Sequence, residues 1–217
     1  MARQATARQL YESLSAEEAK ARTGGPSDPP PFSGPVVSNA RLGLLMLLAA
    51  EAMLFAGLIG AFLVFRLSSP NWPPPFQPRL PVLATGVNTL VLLLSGLTMH
   101  WASKAARAGN NGSLINFLSV TAALGVLFLI VQGYEWLRLI SFGLTVSSGV
   151  YGATFYTIIG CHALHVFGAV IWLVAILIQA RREKFTPQAH TPVEICAMYW
   201  AFVVGLWPLL YGLVYLY

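Results

Sequence analysis

The chain places one carboxylate, Glu51, about ten residues inside an apolar run that begins near Asn39. A helix rises 1.5 Å per residue, so Glu51 is expected roughly 15 Å deep in a bilayer about 30 Å thick. An ionisable group at that depth costs at least about 3 kcal/mol on insertion scales, so it needs a partner, a proton or a polar cavity. Desolvation penalises its charge, and protonation or pairing with a lipid head group is the expected state. As chemistry, an isolated intramembrane acid can serve as the relay of a proton-coupled carrier or channel. It can equally be a structural contact between helices.

His162 and His165 lie at i, i+3, about 60° apart on one helix face, and again near mid-depth. Such a pair can begin a metal or haem site. Structural zinc normally takes four ligands, however, and catalytic zinc three from protein. His100 and His190 fall at other depths, so polar contacts to Glu51, Glu135 or lipid head groups are expected instead. Glu135 and Arg138 at i, i+3 suggest a local ion pair worth a few tenths of a kcal/mol. The alternative turns Glu135 inward to a histidine of the next helix, with Tyr134 and Gln132. His190 and Glu194 form an i, i+4 pair that opens the last apolar run. Cys161 and Cys196 form no CxxC motif and read as packing thiols.

Composition says what must position these groups. The 217 residues are 56% hydrophobic and only 10% charged, against about 25% charged in soluble domains. Five runs exceed the roughly 20 residues needed to cross a bilayer: 39–66, 82–106, 113–140, 149–180 and 192–217. The expected fold is an all-α, five-helix transmembrane bundle over residues 39–217. Residues 1–38 form a separate polar tail with no cleavable signal expected. Ala7 to Arg22 fits a short amphipathic surface helix, and Thr23 to Ser38, with five prolines, fits an extended linker. The net charge of +5 is scattered, without a basic face for nucleic acid.

Lys and Arg give the orientation. Arg3, Arg8, Lys20, Arg22, Arg41, Lys104, Arg107, Arg181, Arg182 and Lys184 flank one side, against Arg66, Arg79 and Arg138 on the other. That bias puts the N-terminus inside and, after five crossings, the C-terminus outside. In the first run Gly43, Ala50 and Gly57 recur every seven residues, a spacing that lets a neighbouring backbone approach. Glu51 borders that stripe and is expected to face a helix contact or cleft. Thr85, Asn88, Thr89, Ser95, Gly96 and Ser103 make a broad small-residue stripe on the second run, read as interhelical glue. The aromatics of the last run read mainly as packing residues, with a bend at Pro208. No internal repeat supports a transporter built from inverted halves.

These stretches together resemble subunit III of the haem–copper respiratory oxidases in its short five-helix bacterial form. The matching pieces are GluAlaMetLeuPheAlaGly (51–57), AsnTrpProProPro (71–75), ValAsnThrLeuValLeuLeuLeuSerGly (87–96) and GlnGlyTyrGluTrp (132–136). The most specific is GlyCysHisAlaLeuHisVal (160–166), followed by LysPheThrPro (184–187) and TyrTrp (199–200). The resemblance covers about residues 39–217. It implies an accessory subunit without a redox centre in a bacterial plasma membrane, with haem and copper held by partner subunits. It also implies packing against subunit I, proximity to subunit II and possible contact with other respiratory complexes. A V-shaped cleft would hold phospholipid, and the chain would support proton uptake into the catalytic subunit and protect it during turnover. Equivalent subunits of quinol oxidases, or those associated with nitric oxide reductase, share this pattern. On the resemblance, Glu51 is the intramembrane carboxylate and Glu135, His162 and His165 are a polar group on the third and fourth helices. His190 and Glu194 are the pair opening the last helix. Where the family usually carries His and Asp after TyrTrp, this chain has Ala201 and Val204.

Overall fold

The computed structural model describes residues 12–16, 18, 39–74, 78, 80–182, 185 and 190–217. The chain divides into two units, 1–38 and 39–217. In the first, residues 12–16 are helical, with the Ser15 hydroxyl donating to the Glu12 carbonyl at 3.0 Å. The rest of the expected surface helix, the 23–38 linker, Arg79 and most of the 184–187 loop lie outside the described residues.

The second unit is all-helical among the described residues: α1 (Asn39–Ser68), α2 (Val82–Arg107), α3 (Asn111–Ser141), α4 (Val150–Arg181) and α5 (Thr191–Tyr211). A π-helical turn, Gly212–Leu216, continues α5 four residues after Pro208, which lacks the N–H that an α register needs. All five helices are long and apolar enough to cross a membrane. A helix satisfies its own backbone groups, and a spanning segment in hydrocarbon has no other donor or acceptor to use. Gly109 at φ 69° makes the tight turn between α2 and α3. Asn110 then caps α3, its Oδ1 accepting from the Ser113 amide at 3.0 Å.

α2 packs along α3 and α5, α4 bridges α3 and α5, and α1 touches α4 and α5 at the edge. The small stripe on α2 does act as glue. Its hydroxyls accept from two buried indoles of α5: Trp207 Nε1 to Thr89 Oγ1 at 2.9 Å and Trp200 Nε1 to Ser95 Oγ at 3.2 Å. Buried indole N–H groups need acceptors, and hydrocarbon supplies none. Asn88 Nδ2 donates to the Phe128 carbonyl at 3.1 Å, and Thr98 and Thr121 share a hydroxyl contact at 2.8 Å. Gly125 lets the Trp200 ring lie on α3, since a Cβ there would stand 2.7 Å from the indole. Val204 packs in the same seam, 3.1 Å from where a Cβ on Gly96 would sit.

The stripe on α1 is not used within this helical unit. Gly43, Ala50 and Gly57 are exposed, and a Cβ added to either glycine would meet nothing within 4 Å. α1 instead buries Leu44, Phe55 and Phe62, bulky side chains that span a wider gap than small residues can close. Phe55 sets its ring edge-on against His165 (5.1 Å) and Phe62 against Trp72 (5.7 Å).

Candidate functional site

Glu51 does face a helix contact, on the side of α1 away from the open stripe. Tyr199 of α5 donates its hydroxyl to Glu51 Oε1 at 3.2 Å, and His165 Nε2 of α4 stands 3.7 Å from the same oxygen. One carboxylate therefore joins three helices. His165 Nδ1 lies 2.7 Å from the Cys161 carbonyl, which can only accept, so that nitrogen carries the hydrogen. Nε2 then faces the Glu51 carboxylate from α4. Protein groups of α4 and α5 stand beside Glu51 Oε1. Glu51 Oε2 is buried without a partner among the described residues.

Tyr199 was missed as a polar group because it sits in an aromatic-rich helix, where rings read as packing. The signal available was its hydroxyl: a buried tyrosine tip seeks an acceptor. Its ring does pack, tilted against Trp172 at 5.6 Å.

His162 is not part of this contact, although it shares a helix with His165. It is fully buried, stacked on Trp207 at 5.0 Å and 25°, and neither ring nitrogen has a hydrogen-bond partner among the described residues. It touches neither Glu51 nor Glu135, which corrects the expected polar role. The reason is angular. Two positions 60° apart on α4 straddle Phe55, whose ring lies 6.3 Å from His162 and 5.1 Å from His165. Among the described residues, no three His, Cys, Asp or Glu side chains converge as metal ligands.

Glu194 forms a second junction at the end of the bundle that carries the α2–α3 turn. It lies in the first turn of α5, where the helix dipole favours a negative group. Arg107 Nε of α2 donates to Oε1 at 2.8 Å, His190 Nε2 lies 3.2 Å from Oε1, and Arg41 of α1 donates to Oε2. The i, i+4 pair seen in the sequence is present, and two arginines distant in sequence complete it.

At the opposite end Glu135 is buried and pairs with Arg138 at 4.0 Å, while Tyr134 points outward, 63% exposed. Gln132 turns in and donates to the Tyr215 hydroxyl at 3.3 Å. Glu135 Oε2 and Gln132 Oε1 stay unpartnered among the described residues.

A bundle of five membrane-length apolar helices, two of whose acids tie helices together, defines the class: a multi-pass membrane protein. The family model for "Cytochrome c oxidase subunit III" matches residues 32–217. A "Cytochrome c oxidase subunit 3" of Synechocystis sp. is 36% identical over 175 residues, covering 80% of this chain and 74% of its own length. That of Thermostichus vulcanus is 32% identical, covering 81% and 86%, and that of Papio hamadryas 35%, covering 83% and 70%. The chain belongs to the cytochrome c oxidase subunit III family. It is therefore an accessory subunit of a haem–copper oxidase, part of an oxidoreductase complex with partner subunits.

Proposed function

We propose that this chain braces the oxidase's catalytic subunit I from within a bacterial plasma membrane, near subunit II, holding phospholipid and supporting proton uptake. In this reading the chain carries no catalytic centre, and the haem and copper belong to its partners. Its N-terminus lies inside and its C-terminus outside, in keeping with the Lys and Arg bias. The observation that carries the reading is the placement of Glu51. It knits α1 to α4 and α5 at mid-depth, while the other face of α1 carries small residues that are exposed among the described residues. A bracing helix needs this arrangement: one face fixed to its own bundle and one smooth enough for a neighbour's backbone. An apolar groove of about 260 Å³ between α1 and α4, lined by Leu58, Phe62, Ala153 and Ile158 among others, is shaped for acyl chains. It is the candidate lipid cleft.

In this reading Glu51, His165 and Tyr199 form one contact across α1, α4 and α5. Their role is to fix α1 beside the lipid cleft and to shape the local supply of protons. The test is purification in mild detergent followed by Glu51→Gln in the assembled complex. The wild-type chain should come down with a haem-bearing subunit I, and the variant should lose lipid and inactivate faster during turnover. Recovery only as a free monomer, or an unchanged variant, overturns the reading.

A further inference from the structure

At the end of the bundle opposite Glu194, a cavity of about 300 Å³ opens between α1, the start of α2, the start of α4 and the π-helical turn. Its walls divide by chemistry. Arg66, Tyr151 and Tyr217 supply polar tips, whereas Trp72, Val82 and Val214 are largely apolar. We propose that this cavity seats the phosphate-bearing head group of an anionic glycerophospholipid, with Arg66 as the phosphate anchor.

Arg66 lies in the last turn of α1, at the boundary between the apolar run and the polar connection. Its guanidinium stacks 4.4 Å over the Tyr217 ring, which fixes the plane and leaves the N–H edges free for a planar, bidentate acceptor. No carboxylate pairs with it among the described residues. The other described charges at this end, Glu135 and Arg138, face each other at 4.0 Å. The cavity thus presents a guanidinium with no side-chain carboxylate paired to it among the described residues. Trp72 stands edge-on between Phe62 (5.7 Å) and Tyr151 (5.1 Å), a ring column that stiffens one wall. Rings of this kind sit at the head-group level of a membrane. A volume near 300 Å³ is at the small end for a ligand site. It fits a head group and glycerol rather than a whole lipid, and Val82 and Val214 mark where an acyl chain would leave. A soluble anion would use the arginine but not these apolar walls.

The proposal rests on the lipid-holding part of the proposed function, and the test separates the two. The assembled oxidase is purified with the native chain, Arg66→Gln, Arg66→Lys and Leu216→Trp, the last an exposed rim position. Tightly held phospholipid is counted by native mass spectrometry. Each delipidated complex is then titrated with short-chain phosphatidylglycerol, with inorganic phosphate as competitor. Arg66→Gln should weaken binding about tenfold or more, as expected for losing a charged hydrogen-bond donor. Arg66→Lys should restore part of it, and Leu216→Trp should lower occupancy with the charge intact. Equal retention by Arg66→Gln overturns the seat while leaving the lipid-holding reading in place. So does displacement by inorganic phosphate alone, or an acidic residue of a partner subunit cross-linked at Arg66. A native complex that retains no phospholipid at all sinks the wider reading instead.

Discussion

Helices α1 and α2 both carry a stripe of small residues, and the structure uses them in opposite ways. On α2 the stripe is buried: Asn88, Thr89 and Ser95 accept or donate hydrogen bonds to α3 and α5, and Thr85 is buried beside them. On α1 the stripe is open, and the helix is held by Leu44, Phe55 and Phe62 together with two polar ties, Glu51 and Arg41. Hydroxyls and amides among small residues commit a face to the chain's own bundle, because buried polar groups must be satisfied locally. A stripe of bare glycine and alanine carries no such demand. It fits whichever backbone arrives, including one from another subunit.

The contrast can be broken most forcefully at Glu194, where α1, α2 and α5 meet. Glu194→Ala leaves Arg41 and Arg107 facing each other without their carboxylate. A fully buried pair broken this way costs about 3–5 kcal/mol, and the exposure of both arginines should reduce that to about 2–3 kcal/mol. A thermal melt of the purified complex should show the loss. An unchanged melting temperature would mean that α1 needs no tie at this end.

Within the tight half, Gly125→Ala forces a Cβ to within 2.7 Å of the Trp200 ring. Overpacking of this kind costs about 1–3 kcal/mol. The matching change on α1, Gly57→Ala, meets nothing within 4 Å and should leave the melt of the isolated chain where it was. A bulkier Gly57→Leu should likewise spare that melt yet reduce the chain's recovery with subunit I in a pull-down. If Gly57→Leu also lowers the melt, the α1 face is not open as described. The smallest loss belongs to Tyr199→Phe, which removes one hydrogen bond to Glu51 and should cost about 0.5–1.5 kcal/mol. Its signature is a greater dependence of turnover stability on His165. The double variant with His165→Gln should lose more than the sum of the singles, because both partners serve one carboxylate.

Much of this arrangement was legible beforehand. The helix bounds follow the apolar runs to within a few residues, since an uninterrupted run in lipid has no alternative to helix. The His190–Glu194 and Glu135–Arg138 pairs were readable because i, i+3 and i, i+4 neighbours are fixed by helix geometry alone. The parting of His162 from His165 was not readable. Both lie on one face of α4, and only the position of the Phe55 ring decides which one reaches Glu51.

The sequence by itself determined the number of helices long enough to cross a membrane, the position of each ionisable group along its helix and the contacts closed within one helix, because rise and period per residue are constants. Tertiary structure alone decided that Glu51 meets Tyr199, 148 positions away, and that Arg41 and Arg107 share Glu194. Those contacts depend on how each helix is rotated about its own axis. That rotation is set by the fit of large rings and small residues across neighbouring helices, which no single segment contains.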